Sequence, residues 1–121
     1  MQARDADRDG FRRFIQRVSP VSDAELATLE PHVRVRVLTK GESLLAAGDR
    51  ATLAGCVLAG VLREFYPLVD GREITRNFAG PGDGSGSLSD LISDLPSRTS
   101  VVAETDARII TISWREMRRA K

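Results

Sequence analysis

The chain has 121 residues, enough for one domain with one hydrophobic core and too few for two ordinary domains. Its 18 basic and 17 acidic side chains give a net charge of +1, which argues against a domain that binds nucleic acid by itself. With a single cysteine and a single histidine, the sequence excludes an intramolecular disulfide and a metal centre built from several thiolates or imidazoles. No apolar run approaches the roughly 20 residues that span a membrane, so we expect a soluble, unanchored domain.

The beginning of the chain predicts two helices. Residues 1–10 are polar and lack the apolar segment of a secretory signal, so we interpret them as a flexible cytoplasmic tail before a domain at 11–121. An amphipathic helix should follow, with the apolar positions Phe11, Phe14, Ile15 and Val18. Ser22 and Glu25 then form a capping box for a second short helix, which Pro31 helps to end.

The middle of the chain alternates short apolar stretches with glycine turns about every ten residues, which is typical of an antiparallel sandwich or barrel. Val33, Val35 and Val37 alternate with polar residues and should face inward from the first strand. Asp70-Gly71 is the strongest hairpin signal. Strands are predicted at 33–38, 43–47, 54–59, 61–68, 72–78, 99–105 and 107–113. We therefore expect a mainly antiparallel β-roll (jelly roll) of about eight strands.

Other side chains in this region have mainly structural interpretations. Cys56 lies in an apolar stretch and should be a small buried residue rather than a redox sensor. His32, after Pro31, should be a surface or capping residue. The charged residues of the hairpin are Arg63, Glu64, Arg72, Glu73 and Arg76. Cross-strand salt pairs on a solvent face are expected for them, with Arg63 or Arg76 lining a pocket as the alternative.

Residues 78–103 carry the strongest functional signal. Alternate glycines at positions 82, 84 and 86 permit positive φ and close approach to a ligand. A short helical pattern follows, and Arg98 comes after Pro96. Helix N-termini and arginine guanidinium groups both bind phosphate. The pattern therefore predicts an anion site with the N–H groups of Ser87 and Leu88, the Arg98 guanidinium and the Thr99 hydroxyl as contacts, and a flexible Gly/Ser loop without function is the alternative.

These residues resemble the phosphate-binding cassette of the cyclic-nucleotide-binding domain of bacterial Crp/Fnr-type transcriptional regulators. That cassette reads Gly-Glu, a short helix, Pro-Arg-(Ser/Thr)-Ala and a valine-rich strand, matched here by residues 86–88 and 96–101. Similar turn and strand signatures occur in the same order at 40–42, 47–49, 60–63 and 70–73, so that the resemblance covers 11–114. The ligand-binding set that it implies is Gly86, Ser87, Leu88, Arg98, Thr99 and Ser100.

One position departs from the family pattern. Ser87 stands where the family has the glutamate that holds the ribose 2′-hydroxyl, and the interval from Gly86 to Arg98 is slightly long. The resemblance thus implies an effector-sensing domain that binds cyclic AMP or cyclic GMP weakly, or another small anionic effector. A stand-alone, ligand-free interaction module on the same fold is the alternative. An enzyme is not expected, because the sequence shows no nucleophile–base arrangement or pair of carboxylates.

The end of the chain predicts a final helix. Ser113 and Glu116 form a second capping box, and the chain continues to Lys121. In the resembled regulators, a long helix here forms the dimer contact and leads to a helix-turn-helix. We expect either a fragment whose missing C-terminal helix-turn-helix binds DNA, with a homodimer as an open option, or a stand-alone copy of the domain. This chain alone is not expected to bind DNA.

Overall fold

The computed structural model describes residues 5–18, 21–86 and 88–119. Its helices are α1 (Asp5–Val18), α2 (Asp23–Leu29), α3 (Leu88–Ser93) and α4 (Trp114–Arg119), with a 3-10 turn at Glu30–His32. Its strands are β1 (Arg34–Leu38), β2 (Ser43–Leu45), β3 (Leu53–Ala59), β4 (Leu62–Pro67), β5 (Glu73–Ala79), β6 (Ser100–Ala103) and β7 (Ala107–Ser113). None of the helices in these ranges is long and apolar enough to cross a membrane.

The strands form two antiparallel sheets, with the orders β1-β7-β3 and β2-β6-β4-β5. The predicted mainly antiparallel β-roll with N-terminal helices and the start of a C-terminal helix is confirmed. We expected about eight strands, and the described ranges contain seven. Isolated bridges join Cys56 of β3 to Gly84, and Arg50 of the β2–β3 connection to Pro96.

Two apolar clusters hold the fold together. One lies between the first sheet and the helices, and includes Ile15 of α1 and Ile110 of β7. The other joins the two sheets, with Ile109 of β7 against Leu62 and Val101 of the second sheet. Successive residues of a strand point to opposite faces, so β7 contributes to both clusters. β7 has its predicted bounds of 107–113, and even the polar Thr111 is buried because both faces of the strand are covered.

Helix α1 begins six residues before the predicted start at Phe11, so residues 5–10 are helical where we expected part of a flexible tail. Asp7 is buried and forms an ion pair with Arg108 of β7. Gly10 lies close to Leu58, since a Cβ on this glycine would be 3.2 Å from the Leu58 Cδ2 atom. A charge pair and a close backbone approach hold this first part of the helix, and neither produces the apolar periodicity on which the prediction rested.

The predicted inward valines of β1 are only partly correct. Val33 and Val35 are buried, but Val37 is 58% exposed and Leu38 is buried instead. Leu38 belongs to the cluster between the sheets. Val35 and Leu38 are three residues apart, so strand alternation places them on opposite faces of β1, one toward each cluster.

The predicted capping box at the start of α2 is present. Ser22 Oγ accepts a hydrogen bond from the Glu25 N–H at 3.1 Å, and Glu25 Oε1 accepts one from the Ser22 N–H at 3.2 Å. We expect Ser22→Ala to lower the free energy of unfolding by about 1 kcal/mol, because it leaves an N–H of the first turn without its acceptor. Urea denaturation measures this change. Ser22→Asp, which keeps an acceptor, is the control, and an equal loss in both variants would contradict a capping role.

Candidate functional site

The glycine-rich turn between β5 and α3 is attached to β3. Three backbone hydrogen bonds join them: Gly82 N–H to Val57 C=O, Val57 N–H to Asp83 C=O and Ser85 N–H to Gly55 C=O, each 2.9 Å long. Of the three predicted glycines, only Gly82 has positive φ, at 91°. Only position 82 of the turn therefore requires the positive φ that glycine permits. The hydrogen bonds to β3 argue against the alternative of a flexible loop without function.

The segment around Arg98 is held from the other side by the β2–β3 connection. The Gly48 N–H donates to Ser97 C=O, and the Ser97 N–H donates to Asp49 C=O, both at 2.8 Å. Ser97 and Thr99 are buried, whereas Arg98 between them is exposed. Within the part of the chain that the structure describes, the Arg98 guanidinium has no hydrogen bond or ion pair. A fixed backbone thus presents an arginine that is available to an anion.

The two hydroxyl groups of the predicted set have internal partners. Thr99 Oγ1 donates a hydrogen bond to Glu64 Oε2 at 2.8 Å. Ser100 Oγ accepts a hydrogen bond from the Ala47 N–H at 2.9 Å. Thr99 in this arrangement has no second hydroxyl proton to offer to a ligand, because a hydroxyl group donates only once.

Two of the remaining predicted residues, Gly86 and Leu88, lie in the described part of this region. Gly86 borders the pockets beside it, and Leu88 begins α3. Ser87, which stands at the position of the family glutamate, lies outside the described residues. The ligand-binding role of Gly86, Ser87, Leu88, Arg98, Thr99 and Ser100 remains a prediction.

Two pockets meet at Ser85 and Gly86. The larger has a volume of about 340 Å³ and is lined from the β2–β3 side, with Leu45, Arg50 and Thr52 among its residues. The smaller has a volume of about 30 Å³, and its lining residues are Leu62, Glu64, Asn77, Ala79, Gly84, Ser85, Gly86 and Val101. Sites for small molecules usually have about 300–1,000 Å³, so the smaller pocket is closed to such a ligand as it stands.

Glu64 is the pocket residue that the sequence interpretation missed. Its side chain is only 13% exposed, and Arg76 Nη1 lies 3.5 Å from its Oε2 atom. The sequence pattern instead predicts a salt pair on the solvent face for it. Leu62, two residues earlier on β4, is buried in the cluster between the sheets, and the alternation of a strand puts residue 64 on the same face. That alternation was the signal that could have located Glu64.

The other charged residues of the hairpin behave as expected. Arg63 donates to Glu73 at 2.8 Å and to Glu104 at 3.2 Å. The hydrogen bond to Glu73 is the main cause that raises the pKa of Arg63 above its ordinary value. Arg63 and Arg76 therefore form cross-strand pairs, as predicted, and neither borders a pocket described above.

Cys56 and His32 also fit their structural interpretations. Burial raises the pKa of the Cys56 thiol to about 11, although Arg17 and Arg13 partly oppose this rise. A thiol with such a pKa is poorly reactive at neutral pH. His32 is exposed and lies 3.6 Å from Glu116 of α4. No group of three or more metal-ligating side chains occurs in the ranges that the structure covers.

Comparison with known proteins agrees with this architecture. The family model of the cyclic nucleotide-binding domain matches residues 35–120. No curated protein matches the chain. A solved cyclic nucleotide-binding-like protein from Brucella abortus is 26% identical with a TM-score of 0.77, over 96% of this chain and 97% of that one.

Two further solved structures share the fold at lower identity. The sensor domain of the transcriptional regulator DNR from Pseudomonas aeruginosa is 16% identical with a TM-score of 0.79, over 90% of this chain and 75% of that one. The regulatory domain of Toxoplasma gondii PKA with cAMP is 17% identical with a TM-score of 0.84, over 98% of this chain and 46% of that one.

Proposed function

Because the chain belongs to the cyclic nucleotide-binding domain family, we propose that it is the effector-sensing domain of a Crp/Fnr-type transcriptional regulator with altered or weakened nucleotide binding. In this proposal it binds a small anionic effector in the cytoplasm and catalyses no reaction. DNA binding belongs to a helix-turn-helix outside this domain, and a homodimer would form through the helix that leads to it.

The exposed Arg98 is the observation that carries the proposal. Its neighbours Ser97 and Thr99 are buried, and the β2–β3 connection fixes the backbone on both sides of Ser97. Arg98 also stands at the position of the cassette arginine in the family resemblance. A planar guanidinium without an internal carboxylate partner is suited to a phosphate or carboxylate group. A regulator domain is supported further by the shared fold with the DNR sensor domain.

A ligand-free interaction module on the same fold is the second candidate. The observation in its favour is the contact of Thr99 with Glu64 beside a pocket of about 30 Å³. In such a module the cassette would serve only to keep the shape of the roll.

Anion binding at Arg98 separates these candidates. We expect crystals soaked in sulfate to show the anion at the Arg98 guanidinium, and Arg98→Ala to abolish it. Titration calorimetry should show that cyclic AMP and cyclic GMP bind to the wild-type chain more weakly than in the micromolar range. Arg115→Ala, an exposed arginine of α4, is the matched control. If sulfate is absent from Arg98, and Arg98→Ala leaves anion binding unchanged, the proposed site is wrong.

A further inference from the structure

The small pocket beside Gly86 is lined in part by Glu64, whose hydrogen-bond partner Thr99 belongs to the predicted ligand-binding set. Glu64 enters it from β4, and its Oε2 atom accepts the Thr99 hydroxyl proton at 2.8 Å. Thr99 is 2% exposed, so this hydrogen bond lies away from bulk water. The carboxylate thus makes, from within the chain, a contact that we had assigned to an anionic ligand.

Glu64 has a cationic partner, Arg76, on the neighbouring strand. Arg76 is its ion-pair partner, at 3.5 Å from Oε2, but the Arg76 side chain is 47% exposed, and a pair of this length contributes little. A phosphate that contacts the Thr99 hydroxyl would lie within a few ångströms of the Glu64 carboxylate, and like charges at such a distance repel. The ribose of a cyclic nucleotide would also lack space in this pocket, because about 30 Å³ is enough for water but not for a sugar.

We propose that Glu64 sets the ligand selectivity of this site: its carboxylate occupies the anion contact at Thr99 and excludes cyclic nucleotides from the pocket. This inference rests on the proposed function, since it takes the region of Arg98 and Thr99 as the ligand site. It assigns the exclusion to a residue on β4, outside the cassette. A purely structural role for Glu64 would predict a loss of stability on substitution without any gain in binding.

Two substitutions separate the charge of Glu64 from its size. Glu64→Gln keeps the length and an acceptor for Thr99 but removes the negative charge. Glu64→Val removes both the charge and the end of the side chain, and a valine fits the apolar neighbours Leu62 and Val101. The control is Glu73→Val, which changes the net charge equally and also removes the partner of an arginine on the same hairpin, yet does not border the pocket.

Titration calorimetry with cyclic AMP and cyclic GMP, after thermal melting has shown that each variant is folded, tests the inference. We expect Glu64→Val to bind at least one of them about tenfold or more tighter than wild type, Glu64→Gln to gain less, and Glu73→Val to gain nothing. Folded Glu64→Val and Glu64→Gln with wild-type affinity would overturn the proposal, as would an equal gain in Glu73→Val.

Adding Arg98→Ala to the wild type and to Glu64→Val distinguishes this inference from the proposed function. If Glu64→Val gains binding and Arg98→Ala removes the gain, both proposals are supported. If the gain survives Arg98→Ala, Glu64 excludes the ligand as proposed, but Arg98 is not its anchor. If Glu64→Val gains nothing while Arg98→Ala weakens binding in both backgrounds, the sensor site is supported and the role of Glu64 is wrong.

Discussion

Gly55→Ala is expected to lower the free energy of unfolding by about 3 kcal/mol or more, a large part of the 5–15 kcal/mol that is typical of a folded domain. Gly55 lies in β3 opposite Thr111 of β7. A Cβ at this position would be 2.2 Å from the Ile110 carbonyl oxygen and 3.0 Å from the Thr111 Cα atom. Both are backbone atoms of a central strand, so the clash cannot be relieved by a side-chain rotation.

Urea denaturation measures this effect as a lower midpoint at an unchanged m-value. Gly80→Ala is the control, because no atom lies within 4 Å of its Cβ position and its φ is not in the left-handed region. It should change stability by less than about 0.5 kcal/mol. Similar stabilities of the two variants would contradict the predicted clash. They would show that β3 can move away from β7 far enough to accommodate the methyl group. Since Gly55 C=O also accepts the Ser85 N–H, the substitution should disturb the site as well.

The sequence predicted the fold well where local patterns and burial agree. β7 has the predicted bounds of 107–113, and its isoleucines Ile109, Ile110 and Ile112 pack into the two clusters on its opposite faces. The hairpin at Asp70-Gly71 also forms, and Gly71 has the positive φ of 88° that its turn requires. The early start of α1 could not be found in this way. It depends on the pairing of Asp7 with Arg108, two residues that are far apart in the sequence.

The candidate site was predictable in its order but not in its contacts. The succession of a glycine turn, a short helix and an arginine is local, and the resemblance rests on it. The partner of Thr99 is 35 positions away on β4, and the pairing of β4 with β6 places Glu64 opposite Val101. Such a contact depends on strand register, which the sequence around the cassette does not contain.

Ser87→Glu is expected to tighten cyclic AMP binding by about one to two decades, provided that the pocket admits the ligand. In the resembled family a glutamate at this position holds the ribose 2′-hydroxyl, and a hydrogen bond to a charged group contributes about 1.5–3 kcal/mol. Serine is too short to make the equivalent contact. Titration calorimetry with cyclic AMP measures the change, and Ser89→Glu, two positions along the same segment, controls for the added charge.

The effect of Ser87→Glu should depend on residue 64. In the wild-type background Glu64 still accepts the Thr99 hydroxyl proton and keeps the nucleotide out of the pocket. The new glutamate then has no ribose to contact, and the gain in cyclic AMP affinity should be small. In the Glu64→Val background the phosphate and ribose contacts can form together, and the full gain is expected. If residues 64 and 87 act independently, Ser87→Glu should raise the affinity equally with Glu64 and with Val at position 64. If both positions affect contacts to the same ligand, the two gains in affinity should differ. Equal gains, or micromolar binding of cyclic AMP by the wild-type chain, would contradict the view that Glu64 and Ser87 together weaken nucleotide binding.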